Sequence, residues 1–395
     1  MIKTPGTAFV SLVIALFVYA WVSVNIYLPA LPYLSQYFNT SDTNLKLSIS
    51  LFLFGFAAAQ LFWGSLSERY GRKKILIHAL TINCIGVVIA MISPNIEVFI
   101  SGRIIEAIGA GCIPVLGRAL LLDYYEKSEL AGIIATATIL TNIMPAISPI
   151  IGGHLLTTLG WRSIFFVLLV YSFLLLFIFY REVEEKNRYL NKHLTVKQAI
   201  LQYKSVFLNR TFWGYLMPYN LVTGGMLGYY AATPYIFIQH LHLAANVYGY
   251  LSLATVTTYI LGAFISRKLS RRFGIDHALM VGIGLNTIAA FLLTGFAWIY
   301  PLSIMTVLLP MSFYTLSAGI ISPNANAGAM GSVKNIVGAG NAIIGASVYA
   351  AGALLSFILT NLNLSRLLPL AIYAICIWGL SVFTYFTLSR QEKRA

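Results

Sequence analysis

Apolar runs of about 20 residues, each closed by a short polar stretch, recur from one end of the chain to the other. An α-helix rising about 1.5 Å per residue needs roughly 20 such residues to cross a hydrocarbon layer ~30 Å thick. Twelve segments meet that length, at about 7–29, 46–63, 75–94, 97–122, 129–156, 161–180, 211–238, 248–266, 278–297, 300–322, 336–360 and 366–388. The pattern predicts an all-α membrane protein of twelve transmembrane helices. Several runs carry Gly or Pro in their middle, which membrane helices tolerate because neighbouring helices re-satisfy the freed backbone groups. The first run, from about Ala8 to Val24, exceeds a signal-peptide core and lacks a small-residue cleavage site after it; it reads as a retained span.

The longest polar stretch, REVEEKNRYLNKHLTVKQAILQYKSVFLNR, separates six spans from six. The expected organisation is a six-helix bundle over residues 1–180, a linker over 181–210 and a second bundle over 211–395. Within the linker, TVKQAILQY reads as a short amphipathic helix on the membrane surface, with a regulatory or partner-binding role as the alternative. The halves repeat: LSERYGR at 66–72 returns as LSRRFGI at 269–275, an offset of 203 residues. Parallel six-helix repeats related by an axis along the membrane normal are a transporter plan, with the substrate site near the midplane.

Composition agrees. The 395 residues are 58% apolar and 10% charged, against about 25% charged in soluble domains. The net charge of +14 invites a nucleic-acid reading, but the positions of the charges exclude it. With both termini in the cytoplasm, 22 of the 26 Lys and Arg fall in cytoplasmic segments, and only Lys46, Arg103, Arg162 and Arg366 do not. That is the positive-inside asymmetry, with basic loops lying against an anionic leaflet. Cys84, Cys112 and Cys376 sit in apolar runs and read as packing residues. No disulfide, metal-ligand, nucleotide-binding or catalytic spacing appears, so neither a cofactor nor an enzyme activity nor ATP-driven transport is expected. His78, His154, His240 and His242 read as interfacial.

Three stretches carry the candidate chemistry. In GSLSERYGRKKIL, Gly64 suits close helix approach and Gly71 a tight turn, and Arg69, Arg72, Lys73 and Lys74 hold the loop inside. Glu68 is the lone acid there. It has three possible partners: Arg72, Arg118 or a helix N-terminus of the other half. In PAISPIIGG, Pro145 and Pro149 each remove a helix hydrogen bond, and Gly152 and Gly153 admit a close neighbour; the matching VYAAG at 348–352 lacks the prolines. In GRIIEAIGAG, Glu106 lies about 15 Å into the fourth span, with Arg103 one turn away on the same face. Of twelve acids, Glu106 alone falls mid-span, and such a charge marks a functional hypothesis by default. The pair reads as a proton-coupling site, a static ion pair or a substrate contact.

These stretches resemble the major facilitator superfamily, GSLSERYGRKKIL being similar to its signature loop. NIYLPALPYLSQYF (25–38), GRIIEAIGAG…LGRALLLD (102–123, including Arg118 and Asp123), TPYIFIQ and SPNANAGAM resemble the Bcr/CflA group of drug:proton antiporters, and PAISPIIGG resembles the fifth-span antiporter motif. The resemblance implies the major facilitator fold with two pseudo-symmetric bundles, a leak-limiting fifth span and a part for Arg103 in proton coupling. Two departures matter. Glu106 stands where the motif usually has glutamine, and Asn25 where the group has a span-one aspartate. Either the proton carrier has moved to Glu106, or the protein is not proton-coupled, or the cargo has different charge needs; losing the acid weakens attraction for cationic drugs.

Tyr19, Asn25, Tyr219, Asn220 and Tyr229 are candidate cavity residues, since tyrosine joins an apolar ring to a hydrogen-bonding tip. Aromatic belts at the interfaces are the competing explanation. The expected function is export of a drug-like molecule or metabolite across a bacterial inner membrane by proton antiport and alternating access, by a monomer whose partners are substrate, protons and lipid. A siderophore or polycarboxylate transporter and a transport-dead receptor are the alternatives.

Overall fold

The computed structural model describes residues 6–125, 127–185, 196–333 and 336–388. Among these residues the regular structure is helical throughout, and the chain divides into two compact units, Met1–Ala199 and Ile200–Ala395.

The first unit contains α1 (Thr7–Asn25), a 3-10 turn (Leu28–Ala30), α2 (Leu31–Tyr37), α3 (Asp42–Tyr70) and α4 (Arg72–Ile92). It continues with α5 (Ile96–Ala110), α6 (Cys112–Tyr124), α7 (Lys127–Leu159) and α8 (Trp161–Glu182). The first span therefore does not end at residue 29. Pro29 and Pro32 lack amide donors and interrupt the helix, and α2 carries the chain on to Tyr37. The fourth span is two helices, α5 and α6, meeting at Gly111. The second span is longer than its apolar run because Ser41 caps it, accepting from the Asn44 amide, and its polar ends stay helical.

α9 (Val196–Phe207) occupies the place of the amphipathic linker helix. In the second unit follow α10 (Arg210–Pro234), a π-helical turn (Tyr235–His240), α11 (Ala245–Phe273), α12 (Ile275–Ile299), α13 (Ile304–Gly331), α14 (Val337–Thr360) and α15 (Leu367–Leu388). Val206 at the end of α9 is buried against Phe212 and Leu216 of α10. Asn209 caps α10 and Ser303 caps α13 with a reciprocal Thr306 box.

Among the described residues, eleven segments are long and apolar enough to cross a membrane on length and composition alone. α10, seventh in position, completes the twelve and is 25 residues long, but Asn, Thr, Gly and Pro dilute its apolar character. It tolerates them because it is packed on three sides by α13, α14 and α15, so its polar groups face protein rather than lipid.

The two units repeat the same packing. In the first, the third span packs on the fourth and sixth, the second on the fourth, and the first on the fifth (α4·α5, α4·α8, α3·α5, α1·α7). In the second, the corresponding pairs are α12·α13, α12·α15, α11·α13 and α10·α14. The turns between second and third spans also match. Gly71 (φ 99°) and Gly274 (φ 84°), 203 residues apart, each adopt a left-handed conformation that only glycine enters without strain.

Candidate functional site: a buried ion pair and a capped basic turn

Arg103 and Glu106 lie on one face of α5, three residues apart, and neither side chain has any exposed surface. Arg103 Nη1 donates to Glu106 Oε2 at 2.6 Å. Its Nη2 donates to the Ser23 carbonyl of α1 at 3.2 Å. The guanidinium lies over the rings of Tyr27 (4.0 Å) and Phe52 (4.1 Å), with Phe165 of α8 at 5.8 Å. One cation thus draws together α1, α3, α5 and α8, stabilised by an opposite charge and by aromatic faces. Glu106 Oε1 and Arg103 Nε have no hydrogen-bond partner among the described residues.

A second polar link reaches the same place from behind. Tyr19 on α1 donates to Asn83 Oδ1 on α4 at 2.5 Å, and Asn83 Nδ2 donates to the Glu106 carbonyl at 3.0 Å. Tyr19 is fully buried, edge-on to Tyr171. Asn25 is buried too, its amide donating to the Trp21 carbonyl within α1. In the second unit, Asn220 accepts from Ser347 at 3.2 Å, Tyr229 is buried beside Tyr230, and Tyr219 is half-buried against the cluster around Phe212 and Leu216. These five candidate lining residues therefore fall in two separate groups, one per unit.

The basic turn is built differently from any single pairing the sequence offered. Arg72 pairs with Asp123 at the end of α6, Nε to Oδ2 at 2.6 Å, not with Glu68, and also donates to Ser67 Oγ at 3.2 Å. Glu68 is half-buried, and Arg69 and Arg118 are exposed, Arg69 lying over the Tyr70 ring. The Glu185 carboxylate accepts from the backbone N–H groups of Arg72 (3.0 Å), Lys73 (2.9 Å) and Lys74 (3.4 Å). An anion there satisfies orphan donors at the positive end of α4. Tyr124 holds the same segment by donating to the Glu184 carbonyl at 2.9 Å. Residues 181–185 thus fold onto the first unit. A side chain at Gly71 would place its Cβ 2.7 Å from Glu185 Oε2. Gly64 faces Val115.

α7 runs through Pro145 and Pro149, both buried, without a break. Gly152 lies directly under the Ile26 carbonyl where α1 ends, so a Cβ there would collide with backbone. Gly153 is buried beside it. Sequence reasoning missed Ser23, Phe52, Asn83, Phe165 and Glu185. Asn83 alone carried a signal, as an amide inside an apolar run. The others, two aromatic rings, a backbone carbonyl and the Glu185 carboxylate, are brought together from distant positions. Cys112 is buried and Cys84 donates to Ser172 at 3.3 Å, whereas Cys376 is exposed on the apolar outside.

The family model of the Major Facilitator Superfamily matches residues 12–357. The chain belongs to this superfamily. Among its relatives is the bicyclomycin resistance protein homolog of Haemophilus influenzae, 22% identical over 386 residues and 94% of each chain. Multidrug resistance protein D of Escherichia coli is 24% identical over 324 residues, 81% of this chain and 80% of the relative. The crystal structure of a D-xylose-proton symporter superposes with a TM-score of 0.76 at 17% identity, covering 98% of both chains. That likeness shows the major facilitator fold. The protein is therefore a multi-pass membrane transporter acting on small molecules, and its family and fold are those of transporters rather than enzymes.

Proposed function

We propose that the protein exports a small organic molecule from the cytoplasm by alternating access, coupled to inward proton movement through Glu106. The observation that carries this reading is the Arg103–Glu106 pair. Among the described residues it is the one ion pair in the middle of a span, and one of its carboxylate oxygens has no hydrogen-bond partner there. An acid in that setting exchanges a proton only when its surroundings rearrange, as a coupled transporter requires. Arg103 gives the proton a structural consequence. It ties Glu106 to the Ser23 carbonyl, so weakening the ion pair loosens α5 from α1. The names of the Haemophilus and Escherichia relatives, resistance to bicyclomycin and to multiple drugs, support export of drug-like cargo. The distribution of Lys and Arg supports a bacterial inner-membrane orientation with both termini in the cytoplasm. Asn25, Tyr219, Asn220 and Tyr229 are the proposed cargo contacts. The Arg72–Asp123 pair, the basic turn and the Pro145–Gly153 segment are the proposed conformational elements.

The test is proton movement in everted vesicles carrying an imposed pH gradient, wild type beside Glu106→Gln, with a panel of drug-like compounds. Dissipation of the gradient by a compound with wild type alone is expected. An equal response of both proteins would remove Glu106 from the coupling step, and no response from either would overturn proton-coupled export.

A further inference from the structure

We propose that the second unit binds the headgroup of an anionic membrane phospholipid where α12 ends and α15 begins. A cavity of about 440 Å³ lies there, with Trp298, Tyr300, Pro301, Ser365, Arg366 and Leu368 in its walls. Those walls are the last turn of α12, the turn leading to α13 and the loop that enters α15. This end of α12 is the one away from the Gly274 turn. With the orientation proposed above, it lies at the outer leaflet.

Arg366 supplies the charge. It is exposed and has no ion pair among the described residues. Its own unit cannot provide one. From Ile200 to the end of α15 the sequence holds a single acid, Asp276. Asp276 sits in the first turn of α12, about 33 Å from Trp298 at 1.5 Å per residue, and accepts from Tyr215 and Tyr385. The matching place in the first unit is built otherwise. Arg162, 204 residues earlier, also stands at the start of a sixth span, α8. It lies over the rings of Trp161 (4.5 Å) and Tyr37 (5.2 Å) and donates to the Tyr37 hydroxyl at 2.9 Å. Aromatic groups of its own unit hold that arginine, whereas Arg366 borders a cavity.

The surroundings select a lipid over a soluble anion. Trp298 is 79% exposed and Tyr300 54%, and such amphipathic rings settle at headgroup depth. Leu368, Ile372 and Cys376 are exposed at i, i+4 and i+8 on α15, an apolar stripe running from the cavity along the span. A phosphodiester in the cavity meets the planar fork of a guanidinium, which matches phosphate geometry. Its acyl chains then cover the stripe, which a free phosphate cannot do. A zwitterionic headgroup brings its own ammonium and gains less from one arginine.

Purified full-length protein in detergent micelles is titrated with phosphatidylglycerol brominated in its acyl chains. The signal of this site is the tryptophan quenching that Trp298→Phe removes. If Trp298→Phe removes none, no lipid sits in the cavity and the proposal fails. Saturable quenching is expected in wild type. Arg366→Gln is expected to weaken it about fivefold, the worth of one basic residue at a lipid surface. Arg366→Lys should keep it and Arg162→Gln should leave it unchanged. Arg366 is exposed, so its variants should unfold at the wild-type midpoint, which is checked first. Equal affinity of wild type and Arg366→Gln would overturn the proposal. So would equal weakening by Arg162→Gln, since the effect would then be one of net charge. Brominated phosphatidylcholine should bind more weakly, and parity between the two lipids would overturn the choice of an anionic one. Glycerophosphoglycerol, the same headgroup without chains, should not reverse the quenching at millimolar concentration. Full reversal would reassign the cavity to a soluble phosphate ester.

Discussion

Replacing Arg103 by methionine tests whether the buried pair holds the first bundle together. The substitution keeps an unbranched side chain of helical propensity similar to arginine. It removes a charge-assisted hydrogen bond of 2.6 Å, a second bond to the Ser23 carbonyl and two close ring contacts. It also leaves Glu106 with no exposed surface and no cation. A hydrogen bond to a charged group is worth about 1.5–3 kcal/mol, and stranding one member of a buried ion pair costs about 3–5 kcal/mol, the two overlapping rather than adding. Arg103→Met should therefore destabilise by about 4 kcal/mol. In Arg103→Met/Glu106→Leu no charge is left stranded, and the double variant should lie within about 1–2 kcal/mol of wild type. Adding Glu106→Leu should thus recover roughly 2–3 kcal/mol of the Arg103→Met loss. The assay is reversible denaturant unfolding in detergent micelles, followed by tryptophan fluorescence, for wild type, both single variants and the double variant. If the Arg103→Met loss is under about 1 kcal/mol, or the double variant is no better than the worse single one, the pair is not the structural tie described here.

Other substitutions separate contacts that look alike in sequence. Gly152→Ala should lower stability by about 2 kcal/mol, because its methyl meets the Ile26 backbone, which cannot swing aside. Gly132→Ala in the same helix, with nothing within 4 Å, should raise stability by about 0.5–1 kcal/mol; unfolding midpoints of the two variants check both signs. Asn83 and Asn286 occupy matching places 203 residues apart, but Asn83 bridges Tyr19 and Glu106 whereas neither amide atom of buried Asn286 finds a partner among the described residues. Asn83→Leu should cost about 2–4 kcal/mol and Asn286→Leu should be neutral or stabilising by about 1 kcal/mol, measured in the same unfolding series. Asp123→Asn should cost about 3 kcal/mol with little salt dependence, since Arg72 and Asp123 are both buried. Glu185→Gln should cost about 1 kcal/mol, shrinking as salt rises, because Glu185 is exposed; melting curves at low and high ionic strength distinguish them.

The spans were legible because membrane crossing constrains composition over about 20 residues at a time, a property of local sequence. The polar α10 was legible for the same reason, although it fails a strict apolar threshold that its buried neighbours make unnecessary. The repeat was legible through the LSERYGR and LSRRFGI stretches, and its packing follows the same order in both units. Breaks inside spans were less so. Pro29 and Pro32 announce a bend, but the 3-10 turn and the extra helix to Tyr37 depend on what α1 packs against.

Partner choice was the part that sequence left open. Arg72 had Glu68 four residues away and Asp123 51 residues away, and it pairs with the distant one. Glu185, 113 residues from Arg72, caps α4 from a segment read as linker. Arg103 and Glu106 were found because they are neighbours on one helix face, a distance that helical periodicity sets by itself. The rings of Tyr27 and Phe52, the Ser23 carbonyl and the Tyr19–Asn83 bridge that bury them come from α1, the turn after it, α3 and α4. Sequence alone thus determined the membrane class, the twelve-span repeat and the presence of a mid-span acid, since each follows from local hydropathy and short-range spacing. Only the tertiary structure decided which charges meet and which amides stay unpaired, because a contact between helices depends on where each helix ends and which face it turns inward.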